Sequence, residues 1–303
     1  MAFQNASGWN NLPNGVFVPE IYSQKVQKFF RRAAVVEAIT NTDYYGEIAE
    51  FGDTVHIIKE PTITVAPYAR GTQVLTQDLA DDEITLQVDQ AFYFGFKVDD
   101  IEAKQAHLNW EDLSTSSGAY SLKDNFDAEV LAYMIAQVPT AGQFGTTGAP
   151  KSIVLGFATG ITPLQILNRH ARLLDENNVP TENRWCVAPP IFWEYMRDEN
   201  SAIIGIDWQS TGAESSLLRN GRVSAGKIRN FDCYQSNNVP LDSSGQYQIL
   251  TGHMSSTATA SQIAQVEKLR DPNSFADIVR GMHMYGRKVL RTNAMMLTHT
   301  TFS

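Results

Sequence analysis

The sequence predicts an α+β chain in which a long two-stranded extension projects from a body of helices and sheet. Three observations support this prediction. Apolar residues alternate with polar ones across residues 44–98, a long helical pattern follows at 111–137, and short helix and strand patterns alternate beyond residue 150. Because 303 residues are more than one hydrophobic core usually serves, we expect more than one domain.

The N-terminal part predicts a polar arm followed by a helix. Residues 1–16 are rich in Asn and Gly, and apolar residues then recur at helical spacing from Val18 to Val36. The other face of this helix carries basic residues: Lys25, Lys28, Arg31 and Arg32. The first residues have neither the basic nor the apolar segment of a signal peptide, and no apolar run reaches the roughly 18 residues of a membrane span, so we expect no membrane partner.

Residues 44–98 form the predicted extended loop. Apolar parity is continuous from Ile84 to Val98, which as one strand would span roughly 50 Å. Alternating segments at 55–57 and 63–65 predict strands that precede it, and residues 66–83 are polar. Because an isolated hairpin is marginally stable in water, we expect this loop to rest on a second copy of the chain.

An acidic cluster ends the extended loop: Asp99, Asp100 and Glu102. These acids could hold a metal ion, or they could cap the following helix, because an acid followed three positions later by Glu is the reciprocal capping pattern. A metal site would need further converging ligands, and His107 is the one histidine nearby in sequence. We interpret the cluster as the boundary between a strand and a helix.

Beyond the long helix, a Gly-containing stretch at 143–150 predicts a linker, and an α/β region follows. Thr162, Pro163 and Gln165 form a capping pattern for a helix. The remaining predicted elements are a buried strand at 184–188, a helix from Pro190, a loop at 199–226, strands near 228–236 and 247–251, and basic closing strands at 263–292.

The sequence contains no pattern typical of a catalytic or metal site. GxSxG, HExxH and paired CxxC motifs are absent, and the six histidines lack ligand spacing. Cys186 and Cys233 lie in apolar stretches, which predicts buried free thiols in a reducing compartment. His283, between two methionines, is interpreted as a packed strand residue. An α/β enzyme would need a pocket with converging polar groups, for which the sequence offers no candidate, so we predict a protein that is not an enzyme and uses no cofactor.

The order of these segments resembles the major capsid proteins of tailed phages, whose fold is named after the Hong Kong 97 phage. The stretches that carry the resemblance are VPEIYSQKV with DYYGEIAEFGDTVHI, AFYFGFKVDDIEAKQ, LLDENNVPTENRWCVAPP and ADIVRGMHMYGRKVLRTNAM. The resemblance implies four parts: an N-terminal arm and helix (1–43), the extended loop (44–98), a peripheral domain with a long spine helix (99–144 and 261–303) and an axial domain (145–260).

The resemblance also implies a coat protein that self-assembles, as pentamers and hexamers, into the icosahedral capsid of a virion in the host bacterial cytoplasm. It implies a portal protein and, because about 16 residues precede the first helix, a separate scaffolding protein; a decoration protein is an optional partner. The net charge of −9 suits a shell that encloses double-stranded DNA without sequence-specific binding. An encapsulin-like nanocompartment with a protein cargo is the alternative within this fold.

Charge is separated along the chain in a way that predicts contacts between subunits. Residues 71–103 contain eight acids and one base, Lys97, whereas the first helix and the closing strands are basic. We hypothesise that the acidic loop of one copy lies on a basic surface of the next; the alternative is that both are solvated faces. The predicted contact residues are Asp78, Asp81, Asp82, Glu83, Arg70, Lys25, Lys28, Arg31, Arg32, Arg280, Arg287 and Lys288.

Overall fold

The structure is a computed structural model that describes residues 31–44, 54–61, 63–71, 73, 76–78, 83–100, 110–153, 160–197 and 227–302. The helices in these ranges are α1 (Val36–Ile39), α2 (Trp110–Ala136), α3 (Pro163–Glu176) and α4 (Pro190–Arg197). The strands are β1 (Thr54–Ile58), β2 (Glu83–Asp99), β3 (Gln143–Phe144), β4 (Lys151–Ile153), β5 (Arg184–Ala188), β6 (Phe231–Gln235), β7 (Tyr247–His253), β8 (Thr257–Arg270), β9 (Ala276–Val289) and β10 (Met295–Phe302).

A four-stranded antiparallel sheet contains the extended loop and the closing hairpin, in the order β1-β2-β9-β8. The 17-residue strand β2 confirms the single long strand predicted from apolar parity. The strand predicted at 63–65 is wrong, since residues 63–69 form no strand. Ile63 and Val65 are 69% and 92% exposed, so the described residues of the chain offer them no apolar surface to pack against.

A second sheet has six strands in the order β3-β10-β7-β5-β6, with β4 also paired to β10. It corrects two expectations. The stretch 143–150 is not a plain linker, because β3 and β4 on either side of a turn both pair in parallel with β10. Strand β10, which was assigned to the peripheral domain with 261–303, pairs with β7 of the α/β region, because its buried apolar residues complete that sheet.

The long helix α2 lies against the four-stranded sheet, as expected for a peripheral domain. Phe126 packs edge-on against Tyr285 of β9, with ring centroids 4.7 Å apart. The second half of the helix is buried over more than one apolar stripe, because the adjacent residues Val130 and Leu131 are both fully buried. That half also contacts the α/β region, so the core cluster of α2 continues to Trp185 and Leu250 of the second sheet.

Local signals in the α/β region are confirmed. The Thr162 hydroxyl accepts the Gln165 N–H and the Gln165 side chain accepts the Thr162 N–H, which is the predicted capping box of α3. Strand β5 is fully buried as expected, and Pro190 begins α4. The predicted loop at 199–226 lies outside the described residues.

The predicted N-terminal helix can be compared with the structure only from residue 31 onward. Residues 31–35 are not helical, contrary to the prediction, and α1 begins at Val36. Their backbone groups bond to α2 instead of continuing a helix, as described below. The remainder of the predicted helix and Glu102 of the acidic cluster lie outside the described residues. No helix within the described ranges is long and apolar enough to cross a membrane.

Candidate functional site

The acidic part of the predicted contact surface lies on the extended loop. Asp78 and Arg70 are exposed. Glu83, at the start of β2, contacts His56 of β1 within the same chain, with Oε1 3.2 Å from Nδ1. Asp81 and Asp82 lie outside the described residues, as do Lys25 and Lys28 of the basic set.

Two basic residues of the predicted surface are held by the chain's own long helix. The Arg31 guanidinium donates to the backbone oxygen of Ser116 at 3.3 Å and lies 5.1 Å from the centre of the Tyr120 ring. The Arg32 guanidinium is 3.7 Å from Asp124 Oδ2 and donates to the side-chain oxygen of Asn238 at 3.0 Å. Both side chains are exposed but are engaged within the subunit.

Two basic residues of β9, Arg280 and Arg287, are also paired within the chain. Arg280 donates to Glu267 Oε2 of β8 at 2.8 Å. Arg287 lies 3.2 Å from Glu129 Oε2 and 4.9 Å from the centre of the Tyr133 ring, so it ties β9 to α2. Lys288 is half-buried. The geometry therefore brings Arg280 and Arg287 to acids of their own subunit.

The tip of the β8–β9 hairpin carries a dense set of ion pairs. Arg270 forms a two-pronged ion pair with Asp100 and also donates to Asp277 Oδ1 at 3.0 Å, while Lys97 donates to Asp271 at 2.5 Å. The hydrogen bond from Lys97 holds the pKa of Asp271 well below its usual range. Asp100 of the acidic cluster thus joins a strand end to the hairpin tip. Within the described residues, no group of three or more His, Cys, Asp or Glu side chains is arranged to hold a metal ion.

Apolar side chains on the extended loop lack cover from the described parts of the chain. Ile58 and Tyr68 are 81% and 71% exposed, comparable to Ile63 and Val65 on the same loop. Tyr93 of β2 and Phe275 at the hairpin tip are about equally exposed, at 82% and 80%. Such a concentration of exposed apolar side chains on the extended loop is typical of a surface that binds another protein.

The histidines and cysteines in the described residues have structural partners. His283 lies 2.9 Å from Ser261 Oγ and stacks on Tyr285, which fits the interpretation as a packed strand residue. Cys186 and Cys233 are free, buried and opposite each other in the parallel pair β5–β6, and burial raises the pKa of the Cys186 thiol. These are the contacts of a packed core.

A cavity of about 320 Å³ lies between the turn after α3 and the connection from β9 to β10. Its polar lining comes from Asn177, Asn178, Ser255, Arg291, Thr292 and Asn293. Its lining residues include no carboxylate, imidazole or thiol, and its hydroxyl groups are those of Ser255 and Thr292.

A buried polar cluster was not anticipated from the sequence. Asp127 of α2 is fully buried, and its Oδ1 accepts the backbone N–H groups of Val35 and Val36 at 2.7 and 2.8 Å. Asn238, after β6, donates from Nδ2 to Asp124 Oδ1 at 2.8 Å and to Asp127 Oδ2 at 3.0 Å. Burial raises the pKa of Asp127, and these hydrogen bonds lower it in part. The sequence signal for this cluster was Asp127, an acid next to the apolar Phe126 in a helical segment. No comparable signal marked Asn238.

Comparisons with known proteins place this fold. No protein-family model matches the chain, and no curated protein matches it. A solved structure from Mycobacterium phage Che8 is similar over 95% of this chain and 97% of that one, at 25% identity and a TM-score of 0.73. The capsid of cyanophage P-SCSP1u is similar over 96% and 94%, at 18% identity and a TM-score of 0.71, and the capsid of an empty GTA particle over 98% and 100%, at 13% identity and 0.68.

These similarities define a class of protein by its fold. The chain has the α+β fold of phage capsid subunits, along almost its whole length. This is the capsid fold that the sequence resembles, and the described residues form its extended loop, a long helix and two sheets.

Proposed function

We propose that this chain is the major capsid protein of a tailed phage. Copies of it assemble as pentamers and hexamers into the icosahedral shell of the virion, around a double-stranded DNA genome. The observation that carries the proposal is the similarity to phage capsid structures over 94% or more of both chains, the Che8 structure at 25% identity among them.

The extended loop supports an assembly role on physical grounds. Strand β1 pairs only with β2 within the described sheet, and residues beyond it expose large apolar side chains to solvent. Burying Ile63 or Val65 against another copy would contribute about 1.5–3 kcal/mol for each side chain that becomes fully buried. Repeated around a closed shell, such contacts bury area that a single copy cannot bury.

The charge distribution supports a shell that encloses DNA without binding it tightly. The net charge is −9, and Arg32, Arg280 and Arg287 already contact carboxylates of their own chain. Phosphate binding requires clustered Lys and Arg with free donors, so contacts with packaged DNA would be weak and independent of sequence. The proposal includes a portal protein, a separate scaffolding protein, assembly in the host cytoplasm and no enzymatic activity; a decoration protein is an optional partner.

The contact surface between copies remains part of the proposal. Arg70 and Asp78 are exposed on the loop, and the adjacent Asp81 and Asp82 complete its acidic stretch. Because Arg31, Arg32, Arg280 and Arg287 are engaged within the subunit, they would meet the acidic loop of a neighbour as parts of mixed-charge networks. Lys25, Lys28 and Lys288 complete the basic set.

Negative-stain electron microscopy of the purified protein, with and without a co-expressed scaffolding protein, tests the proposal. We expect closed shells of uniform diameter, and particles from infected cells should contain nuclease-protected double-stranded DNA. A chain that sediments as a monomer under both conditions would contradict the proposal. Shells filled with one protein cargo and no nucleic acid would favour the nanocompartment instead.

A further inference from the structure

We propose that Asn238 is a positioning residue for assembly. It ties residues 31–36, which we call the arm root, to the α/β region, and thereby sets the direction in which the preceding N-terminal segment leaves the subunit. This inference rests on the proposed function, since a fixed direction matters only if that segment meets another copy.

The arm root follows one face of the long helix, turn by turn. Arg31 contacts Ser116, the backbone N–H of Arg32 donates to the Tyr120 hydroxyl at 2.6 Å, and the N–H groups following it reach Asp127. These contacts cover about three helical turns. The arm root therefore runs parallel to α2, and the helix determines its path up to Arg31.

The side chain of Asn238 contacts both the arm root and α2 where these two segments are buried. It is 5% exposed, and its one acceptor and two donor hydrogens are all used, by Arg32, Asp124 and Asp127. An amide can accept from a guanidinium and donate to two carboxylates at once, which a carboxylate or an apolar side chain cannot do. Without it, the buried Asp127 and the half-buried Asp124 would lose a donor that they share, and fewer donors would stabilise their charge.

The backbone of Asn238 is attached to the second sheet rather than to the helix. Its backbone N–H donates to Ser236 Oγ at 3.1 Å, and the Ser236 N–H donates to the carbonyl oxygen of Ala188 at the end of β5. The side chain thus reaches from the six-stranded sheet to α2 and the arm root. A rotation of the sheet relative to α2 would break these hydrogen bonds and remove a donor that positions Asp127 for the N–H groups of the arm root, so one amide couples the two regions to the arm root.

The test compares Asn238→Asp with the control Asn237→Asp. The control adds the same charge one residue away on an exposed side chain. In free subunits, we expect the amides of Val35 and Val36 to exchange with solvent at least about tenfold faster in Asn238→Asp, while amides of β5 and β7 keep their parental rates. Shell formation should be lost in Asn238→Asp and retained in the control.

Each outcome decides the inference. Normal shells from Asn238→Asp despite fast exchange in the arm root would overturn the positioning role. Equal acceleration across β5 and β7 would assign Asn238 a general role in stability and also overturn it. If Asn238→Asp does not fold, Asn238→Ala, which removes the amide without adding charge, must give the same pattern. A parent protein that forms no shells contradicts the proposed function instead, and exchange in free subunits still decides whether Asn238 holds the arm root.

Discussion

A buried histidine should make the stability of the subunit depend on pH. His170 of α3 is fully buried between two hydroxyls, with Nδ1 3.0 Å from Thr251 Oγ1 and Nε2 2.7 Å from Thr298 Oγ1. It thereby joins α3 to β7 and β10. Burial, with a smaller contribution from Arg169, lowers the pKa of His170 from 6.5 to about 3.

The sign and size of the effect follow from proton binding. Below pH 6.5 the unfolded chain binds a proton at this position, whereas the folded chain stays neutral until about pH 3, so folding loses free energy as the pH falls through this window. Between pH 7 and pH 5 the free energy of unfolding should fall by about 2 kcal/mol. The reason is that only the unfolded chain binds the proton over about 1.5 pH units of this interval. This fall is a large fraction of the 5–15 kcal/mol by which domains are typically stable.

Urea unfolding of free subunits at pH 7 and pH 5 measures this difference. In His170→Gln, a neutral amide replaces the imidazole, so the loss of unfolding free energy between the two pH values should be about 2 kcal/mol smaller than in the parent. His56→Gln, at an exposed position on β1, is the control for the replacement of a histidine on the surface. An equal pH dependence in the parent and His170→Gln would refute the reasoning.

Three further predictions concern packing and assembly. Gly118→Ala in α2 should destabilise the subunit by about 1–2 kcal/mol in thermal or urea unfolding, because the added Cβ would lie 2.6 Å from the ring of Phe94, although Ala usually favours a helix. Phe94→Leu should relieve part of this loss, and a Gly118→Ala variant that is more stable than the parent would contradict this packing. Asp81→Lys combined with Asp82→Lys should leave circular dichroism unchanged but block shell formation in sedimentation, and parental assembly should weaken as salt rises; normal shells from the variant would make the acidic loop a solvated face. Amides in residues 50–90 should exchange rapidly in free subunits and slowly in shells, and equal protection in both states would argue against docking of the extended loop.

Elements that depend on neighbouring residues in the chain could be predicted from the sequence. The capping box at Thr162 and Gln165 determines where α3 begins, because both of its hydrogen bonds close within three residues. The apolar parity that continues through Val98 predicted β2 as a single strand, since side chains alternate between the faces of a sheet. The order of these elements along the chain was enough to suggest the capsid fold.

The candidate contact residues show where such reasoning stops. Lys or Arg at a helical or strand position reveals charge, but the acid that pairs with it can lie far away in sequence. Arg32 contacts Asp124 and Asn238, and Arg287 contacts Glu129, across separations of roughly 90 to 210 residues. The sequence therefore predicted the charge of these residues but not the partners that they have within the subunit.

What the sequence by itself determined is the set of local elements and their order: a long strand, a long helix, a capped helix and a buried strand. Tertiary structure alone decided which strands become neighbours, and so placed β10 in the six-stranded sheet and paired β3, at the start of the stretch 143–150, with its edge. It also decided that Asp127 and Asn238 hold the arm root. The physical reason is that strand pairing and buried hydrogen bonds satisfy backbone and polar groups between distant segments, and any apolar strand of suitable length could supply such a partner.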